Sequence, residues 1–212
     1  MIFFVLTILA CFIAGDLVRA AGASAEWTRK LVHIGACTSI ALYPYFGMNR
    51  YQLAVIAAGF AIFLYLVRGT WVTRSIAYVE RHSFGEVMMP VSVVITCLLD
   101  VNYLVFMCAY LVLGFSDSLA SLVGQHFGRR EITFFRSSKT YVGSVAFFSS
   151  CMIIILLVPW FSGVLSWRAF GFFVLLSVML TLMEAVSQKG TDNLFLPVAG
   201  VLGMNLVLQG AI

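Results

Sequence analysis

The stretch NYLVFMCAYLVLGFSDSLASLV at residues 102–123 is apolar almost throughout, and Asp117 is its only charged residue. A helix that crosses a lipid bilayer needs about 20 predominantly apolar residues, so this stretch predicts a transmembrane helix. The whole chain has the same character: 62% of its 212 residues are hydrophobic, only 10% are charged, and the mean hydropathy is +1.02. Soluble domains have about a quarter of their residues charged. The composition therefore indicates an integral membrane protein.

Seven further apolar segments accompany this one, so we predict an all-α, polytopic bundle of about eight transmembrane helices that forms a single domain over residues 1–212. The predicted spans cover residues 2–18, 31–47, 51–67, 85–99, 102–123, 142–158, 169–188 and 194–210. The third, fourth and eighth are short or interrupted by glycine, and seven spans is therefore the main alternative. The longest polar stretches, 68–84 and 124–141, are predicted to be loops or interfacial helices.

The distribution of basic residues predicts the orientation of the bundle. With eight spans, eleven of the 13 Lys and Arg residues fall in the odd-numbered connections, and only Arg50 and Arg168 fall in the even-numbered ones. Cytoplasmic connections carry the excess of Lys and Arg. The odd-numbered connections are therefore predicted to be cytoplasmic, with both termini outside.

The net charge of +4 does not predict nucleic-acid binding, because the chain has no basic stripe with interleaved aromatic residues. The basic residues suit anionic lipid headgroups or a phosphorylated substrate. All five cysteines lie inside predicted spans without CxxC or Cys/His spacing. We interpret them as buried small hydrophobic residues.

Asp117 is the most specific functional signal in the chain. It lies inside the fifth predicted span, on a helix face that also carries Gly114, Ser118, Ser121 and Gly124. Small residues on such a face also serve close helix packing, but an ionisable residue within a membrane helix is by default a candidate functional residue. A carboxylate that faces a cavity open to the cytoplasm is a natural Mg²⁺ ligand beside a nucleotide phosphate.

Further ionisable residues fall at the same predicted ends of other spans. Lys139 lies in SKTYVGS at 138–144, where a lysine beside hydroxyl residues and a helix N-terminus suits a phosphate group, although no P-loop is present. Glu184 lies in an apolar segment and has no role as a helix cap, whereas Asp192 could simply cap the eighth helix. Together, Asp117, Glu184 and Asp192 could hold one or two Mg²⁺ ions with a triphosphate.

The beginning of the second span carries RKLVH at 29–33, which places Arg29, Lys30 and His33 on neighbouring helix positions. These residues could bind phosphate, yet Arg29 could equally be a positively charged cytoplasmic residue and His33 a core histidine. Glu86, in GEVMMP at 85–90, could bind a metal or could simply interact with the helix dipole.

Taken in order, these segments resemble the motifs of the polyprenol kinase family, which comprises dolichol kinase, phytol kinase and the CTP-dependent diacylglycerol kinase of fungi. The resemblance covers about 29–197. Two positions depart from the family pattern, since Ser116 precedes Asp117 where the family has glycine and Thr191 precedes Asp192 where the family often has aspartate. The segments that carry the resemblance are RKLVH at 29–33, GEVMMP at 85–90, FSDSLASLVG to FGR at 115–129, SKTYVGS at 138–144, and Glu184 with DNLFLP at 192–197.

The resemblance implies transfer of the γ-phosphate of CTP, with Mg²⁺ as cofactor, to the hydroxyl of a membrane lipid alcohol. We expect the catalytic residues to be Asp117, Lys139, His33 and Glu184. The expected metal ligands are Asp117, Glu184, Asp192 and Glu86. The expected nucleotide- and phosphate-binding residues are Arg29, Lys30, Arg129, Arg130, Ser138, Lys139, Gly143 and Asn193.

Two other functions remain open at this stage. A CDP-lipid-forming phosphatidate cytidylyltransferase would use the same nucleotide and metal, but reaction would occur at the α-phosphorus. A transporter of a small anion or lipid would be expected to have internal repeats and charges at the membrane midplane. The expected location is a bacterial or archaeal plasma membrane, and the sequence leaves a homodimer open.

Overall fold

The computed structural model describes residues 1–67, 85–99, 101–134, 137–161, 163, 167–188 and 190–210. Within these ranges the chain forms eight main helices, one at each predicted span, a short 3₁₀-helix (Tyr43–Phe46) and one β-hairpin. The helices are α1 (Ile2–Ala20), α2 (Ala25–Ala41), α3 (Arg50–Leu66), α4 (Gly85–Leu98), α5 (Tyr103–Phe127), α6 (Tyr141–Phe161), α7 (Trp167–Val186) and α8 (Asp192–Gly210). The hairpin consists of β1 (Glu131–Phe134) and β2 (Ser137–Thr140).

The predicted membrane helical bundle is confirmed at the level of helix number and type. Among the described residues, four helices are long and apolar enough to cross a bilayer, namely α1, α5, α6 and the Ala169–Val186 part of α7. The helices α3, α4 and α8 are apolar but shorter. Half of the eight predicted spans therefore reach the length that a full crossing requires.

Two predicted boundaries are wrong for local reasons. Helix α2 begins at Ala25 rather than near residue 31, because the Ser24 hydroxyl accepts a hydrogen bond from the backbone N–H of Trp27 and caps the helix. The stretch 124–141 does not form the single loop or interfacial helix that was predicted. After α5 ends at Phe127, it forms the antiparallel hairpin, in which Ile132 is paired with Lys139. The other long polar stretch, 68–84, lies outside the described residues.

Helix α5 is the centre of the bundle. It packs against α2, α6 and α8. Of the residues in its most apolar 18-residue stretch, 67% are buried, compared with 11% in the corresponding stretch of α1. A π-helical segment, Val112–Ser116, interrupts it immediately before Asp117. Single π-helical turns inside α-helices occur frequently at functional sites. The predicted position of this helix is therefore confirmed, but its interruption was not predicted.

Small residues allow the neighbours of α5 to approach closely, as is common between membrane helices. A Cβ atom built on Gly114 would lie 2.6 Å from Cys37 Cβ of α2, and one built on Gly143 of α6 would lie 2.7 Å from the Ala120 carbonyl oxygen. Gly124 faces Gly143 across the same contact. These approaches bring the segments that carry Lys30 and Lys139 against the part of α5 around Asp117.

Candidate functional site

A buried ion pair joins α2 to α5. Lys30 Nζ donates a hydrogen bond to Asp117 Oδ2 over 2.5 Å and lies 3.4 Å from the Asp117 carbonyl oxygen. The two residues are only 3% and 5% exposed. A buried charge is costly unless it is paired, so each of these residues compensates for the charge of the other. The two residues are 87 positions apart in the chain, and the close contact of α2 with α5 at Gly114 and Cys37 brings them together.

His33 lies beside this pair. Its Nε2 is 3.7 Å from Asp117 Oδ2 and 3.3 Å from the carbonyl oxygen of Leu113, to which it donates a hydrogen bond when Nε2 carries the proton. Leu113 belongs to the π-helical segment of α5. His33 thus has a backbone partner, as a core histidine would, and also lies beside the Asp117 carboxylate, so its catalytic role stays a prediction.

A second group of charges joins the hairpin to α7 and α8. Lys139 of β2 donates a hydrogen bond to Glu184 Oε1, and its Nζ also lies 3.9 Å from Asp192 Oδ2. Glu184 is two residues from the end of α7, and Asp192 begins α8. The turn between these helices contains Gly190 at φ 84°, a conformation that glycine adopts without steric cost. One lysine therefore contacts carboxylates from two helices.

The two groups form one electrostatic cluster. Burial disfavours the charged form of Lys139, but the negative charges of Glu184, Asp192 and Asp117 outweigh it and raise the pKa of this lysine above its ordinary value. Asp117 is thus close enough to act on Lys139 as well as on Lys30. We call the set Lys30, His33, Asp117, Lys139, Glu184 and Asp192 the charged cluster.

Polar atoms without partners lie in the charged cluster and next to it. Within the described residues, Glu184 Oε2 and the hydroxyls of Ser116 and Ser118 are buried and make no hydrogen bond. A buried polar atom without a partner is costly, and a polar ligand or water could supply the missing hydrogen bonds.

The charged cluster fits a metal that is bound together with phosphates. The structure groups no three His, Cys, Asp or Glu side chains in a way that could hold a metal ion by themselves, as far as its described residues extend. Mg²⁺, however, is usually bound by one or two carboxylates together with substrate phosphates and water. Asp117 and Glu184 could supply those carboxylates, and the free Oε2 of Glu184 is an available ligand atom.

Glu26 is a residue of this region that the sequence did not reveal. It accepts two hydrogen bonds from the Arg29 guanidinium, of 2.7 Å and 3.1 Å, and a third of 2.7 Å from the hydroxyl of Ser121 on α5. Glu26 thus holds Arg29 one turn before His33 and connects α2 to α5. The i,i+3 spacing of Glu26 and Arg29 was a signal that could have identified it.

The remaining residues that were predicted to bind nucleotide or phosphate do not belong to the charged cluster. The Asn193 side chain donates a hydrogen bond to the Gly85 carbonyl oxygen, which connects the start of α8 to the start of α4 beside Glu86. Gly143 lies in the contact between α5 and α6. Arg129 and Arg130 are exposed after the end of α5, and the Ser138 side chain lies outside the described part of the structure.

The comparison with known proteins supports the predicted family independently of the structure. The chain is 28% identical over 200 residues to the phytol kinase of Synechocystis sp., and the match covers 88% of this chain and 81% of the relative. This similarity supports assignment of the chain to the polyprenol kinase family. No protein-family model matches the chain, and no solved structure matches it.

The segments that resemble the polyprenol kinase family supply the residues of the charged cluster. Four of the five resembling segments supply the cluster: Lys30 and His33 come from the first, Asp117 from the third, Lys139 from the fourth, and Glu184 and Asp192 from the last. The second segment, with Glu86, is connected to the last through the hydrogen bond between Asn193 and Gly85. Motifs that are dispersed over the sequence therefore meet in space.

Proposed function

We propose that this protein is a membrane kinase that transfers the γ-phosphate of CTP to the hydroxyl of a lipid alcohol such as a polyprenol, phytol or diacylglycerol. The observation that carries the proposal is the charged cluster, in which two lysines and three carboxylates are gathered from motifs of the polyprenol kinase family. The similarity to a phytol kinase favours a lipid alcohol as the acceptor.

In this proposal the two lysines exchange partners when the nucleotide binds. Lys30 and Lys139 each donate to a carboxylate in the structure, and phosphate oxygens are equally good acceptors for an ammonium group. When the lysines turn to the triphosphate, Asp117 and Glu184 are released. Mg²⁺ held by these carboxylates would neutralise charge on the phosphate oxygens.

The acceptor alcohol would then react beside Asp117. Its oxygen forms a bond to the γ-phosphorus while the bond from that phosphorus to the β-phosphate oxygen breaks, which releases CDP and leaves a lipid phosphate. The hydroxyl proton passes to the Asp117 carboxylate or to His33, which lie within 3.7 Å of each other. Phosphoryl transfer depends mainly on positioning and electrostatic stabilisation, and Lys30 and Lys139 supply both.

We further propose that the charged cluster faces the cytoplasm, as the bias of Lys and Arg predicts. Arg29, Arg129 and Arg130 lie in connections predicted on that side and would add positive charge for the incoming nucleotide. The membrane is proposed to be a bacterial or archaeal plasma membrane, and a homodimer remains one arrangement of the protein within it.

The test uses purified protein in detergent with Mg²⁺ and a panel of phytol, polyprenols, diacylglycerol and phosphatidate. Parallel reactions contain CTP labelled at the α- or the γ-phosphate. Label that reaches lipid only from the γ position supports the kinase, and parallel reactions with ATP compare the donors. Label that reaches lipid only from the α position would identify a cytidylyltransferase, and the absence of transfer from either nucleotide would refute the enzyme proposal and favour a transporter.

A further inference from the structure

Glu26 holds Arg29 along one edge of its guanidinium group. The Nε atom of Arg29 donates a hydrogen bond of 3.1 Å to Glu26 Oε2, and its Nη2 donates one of 2.7 Å to Glu26 Oε1. The planar guanidinium presents N–H donors along more than one edge in a fixed arrangement. The edge formed by Nη1 and the second N–H of Nη2 makes no hydrogen bond within the described residues. Arg29 therefore has a second edge that can bind two oxygens at once.

The Glu26 carboxylate is itself fixed by α5. The Ser121 hydroxyl donates a hydrogen bond of 2.7 Å to Glu26 Oε1, and Ser121 lies about one helical turn after Asp117. Glu26 likewise precedes Lys30 by about one turn. The contacts that these residues make between the two helices are therefore successive steps along antiparallel neighbours. The packing of α2 against α5 thus sets the position of the Glu26 carboxylate.

Arg29 lies at the edge of the charged cluster. Asp117 and Asp192 are close enough to act on its charge, and the charge of Arg29 acts in turn on His33. The Arg29 side chain is nevertheless 50% exposed, compared with 19% for the side chain of Glu26. The guanidinium is therefore accessible to a ligand that approaches the cluster, while the carboxylate that holds it is largely covered.

We propose that Glu26 is a positioning residue that orients Arg29, so that the free edge of the guanidinium binds two oxygens of the nucleotide phosphates. Paired hydrogen bonds from arginine to phosphate add geometric specificity as well as binding energy. An arginine that is already held in place also loses less side-chain freedom when the ligand binds. This inference rests on the proposed kinase function, and it deepens that function by assigning a role to a residue that acts only through Arg29.

Binding of inorganic tripolyphosphate tests this role without turnover. The intact protein in detergent with Mg²⁺ is titrated calorimetrically, and Glu26→Gln is compared with the wild type. Glutamine keeps an oxygen that can accept from Ser121 but replaces one acceptor of the Arg29 pair by a donor. Removal of a negative charge near an anion site should by itself strengthen anion binding. We expect the opposite, a rise in Kd of about tenfold, because a charge-assisted hydrogen bond is lost. A Kd that stays unchanged or falls would overturn the proposal.

A double variant distinguishes positioning of Arg29 from an independent effect of Glu26. If Glu26 acts only through Arg29, Glu26→Gln should not weaken binding further in an Arg29→Lys background, whereas independent effects would add. Asp16→Asn is the matched control, because it removes an exposed carboxylate on α1 and should leave the Kd unchanged. All variants should melt near the wild-type temperature, since exposed ion pairs contribute little to stability. Additive effects, or an equal rise in Kd in Asp16→Asn, would overturn the proposal.

The enzyme assay separates this inference from the proposed function. Glu26→Gln should raise the KM for CTP about tenfold without a matching fall in kcat, as expected when binding common to substrate and transition state is lost. Tripolyphosphate binding that depends on Glu26 through Arg29 would support the positioning role even if no phosphate were transferred. Phosphate transfer by Glu26→Gln with an unchanged KM for CTP would overturn the positioning role and leave the kinase proposal intact.

Discussion

Lys30 and Asp117 form a pair in which neither residue has access to water to solvate its charge. Removing one partner of a buried ion pair costs about 3–5 kcal/mol, because the other charge remains without compensation. In the proposed function, the nucleotide phosphates would replace Asp117 as the partner of Lys30. Stability and activity therefore depend on the pair in different ways, and substitutions can separate the two.

Lys30→Met is expected to lower the free energy of unfolding by about 3–5 kcal/mol, because it leaves the Asp117 carboxylate buried and unpaired. The double variant Lys30→Met with Asp117→Asn should recover most of that stability, since no charge then remains. Unfolding in detergent is followed by thermal melting. Both variants should lose kinase activity, and a double variant as unstable as the single one would contradict the pairing.

Asp117→Asn by itself preserves the size of the side chain but removes the charge that the proposed transfer requires. We expect γ-phosphate transfer to fall by at least about 100-fold, comparable to the removal of one electrostatic catalytic group. The measurement is the initial rate of lipid phosphate formation at saturating CTP. Leu119→Ala is a suitable comparison, because this side chain is exposed on the same helix outside the charged cluster. Turnover near that of the wild type in Asp117→Asn would remove the residue from its central role.

Lys139 should maintain its ion pair with Glu184 at alkaline pH. The neighbouring carboxylates raise the pKa of Lys139 in spite of its burial. The ion pair therefore stabilises the fold completely at pH values below the ordinary lysine pKa of about 10.4. This stabilisation is lost as the pH rises through the higher pKa that Lys139 has in the folded protein. The difference in melting temperature between the wild type and Lys139→Met should therefore persist up to about pH 10. A difference that disappears near neutral pH would contradict this arrangement.

At the scale of the elements, glycines at the helix contacts decide whether the cluster can assemble. Gly143→Ala would place a Cβ 2.7 Å from the Ala120 carbonyl oxygen and 3.0 Å from Thr140 Oγ1. Helix α6 must then move away from α5 and take the hairpin with it. We expect a loss of about 1–3 kcal/mol of stability together with reduced kinase activity, measured by thermal melting and by initial rates.

Gly59→Ala is the matched control for this substitution, because a Cβ at Gly59 in the middle of α3 would meet no described atom within 4 Å apart from its chain neighbours and the backbone of its own helix. This change should leave activity unchanged and add about 0.5–1 kcal/mol of stability from helix propensity. Similar losses in both variants would show that the contact between α5 and α6 has no special part in positioning Lys139.

At the scale of the whole molecule, the orientation proposed from the basic residues can be tested by labelling. Tyr45 follows α2 and His126 lies in the last turn of α5, and both side chains are exposed. In a Cys11→Ala background, Tyr45→Cys should react with a membrane-impermeant maleimide on intact cells, and His126→Cys should react only after permeabilisation. The other four native cysteines are buried, and the background protein is the control. The reverse pattern would place the charged cluster on the outer side.

The sequence by itself determined the class of the protein and the position of its helices. Apolar runs of nearly bilayer length are a local property, and they predicted all eight helices of the described structure, although four of these are too short or too polar for a full crossing by length and hydropathy. The motifs also predicted the polyprenol kinase family, and the 28% identity to a phytol kinase supports that prediction. Helix boundaries were less accurate, because the Ser24 cap and the hairpin depend on individual hydrogen bonds.

The tertiary structure decided which of the predicted residues meet. Composition cannot reveal that Lys30 pairs with Asp117 or that Lys139 connects α7 to α8, since these partners are 87 and 45 or more residues apart. Glu26 and the π-helical segment before Asp117 were likewise not predicted. Pairing and burial depend on how closely helices approach, which is set by contacts such as Gly114 with Cys37 and Gly143 with Ala120. The sequence therefore determined the chemical groups that are present, and helix packing determined their partners.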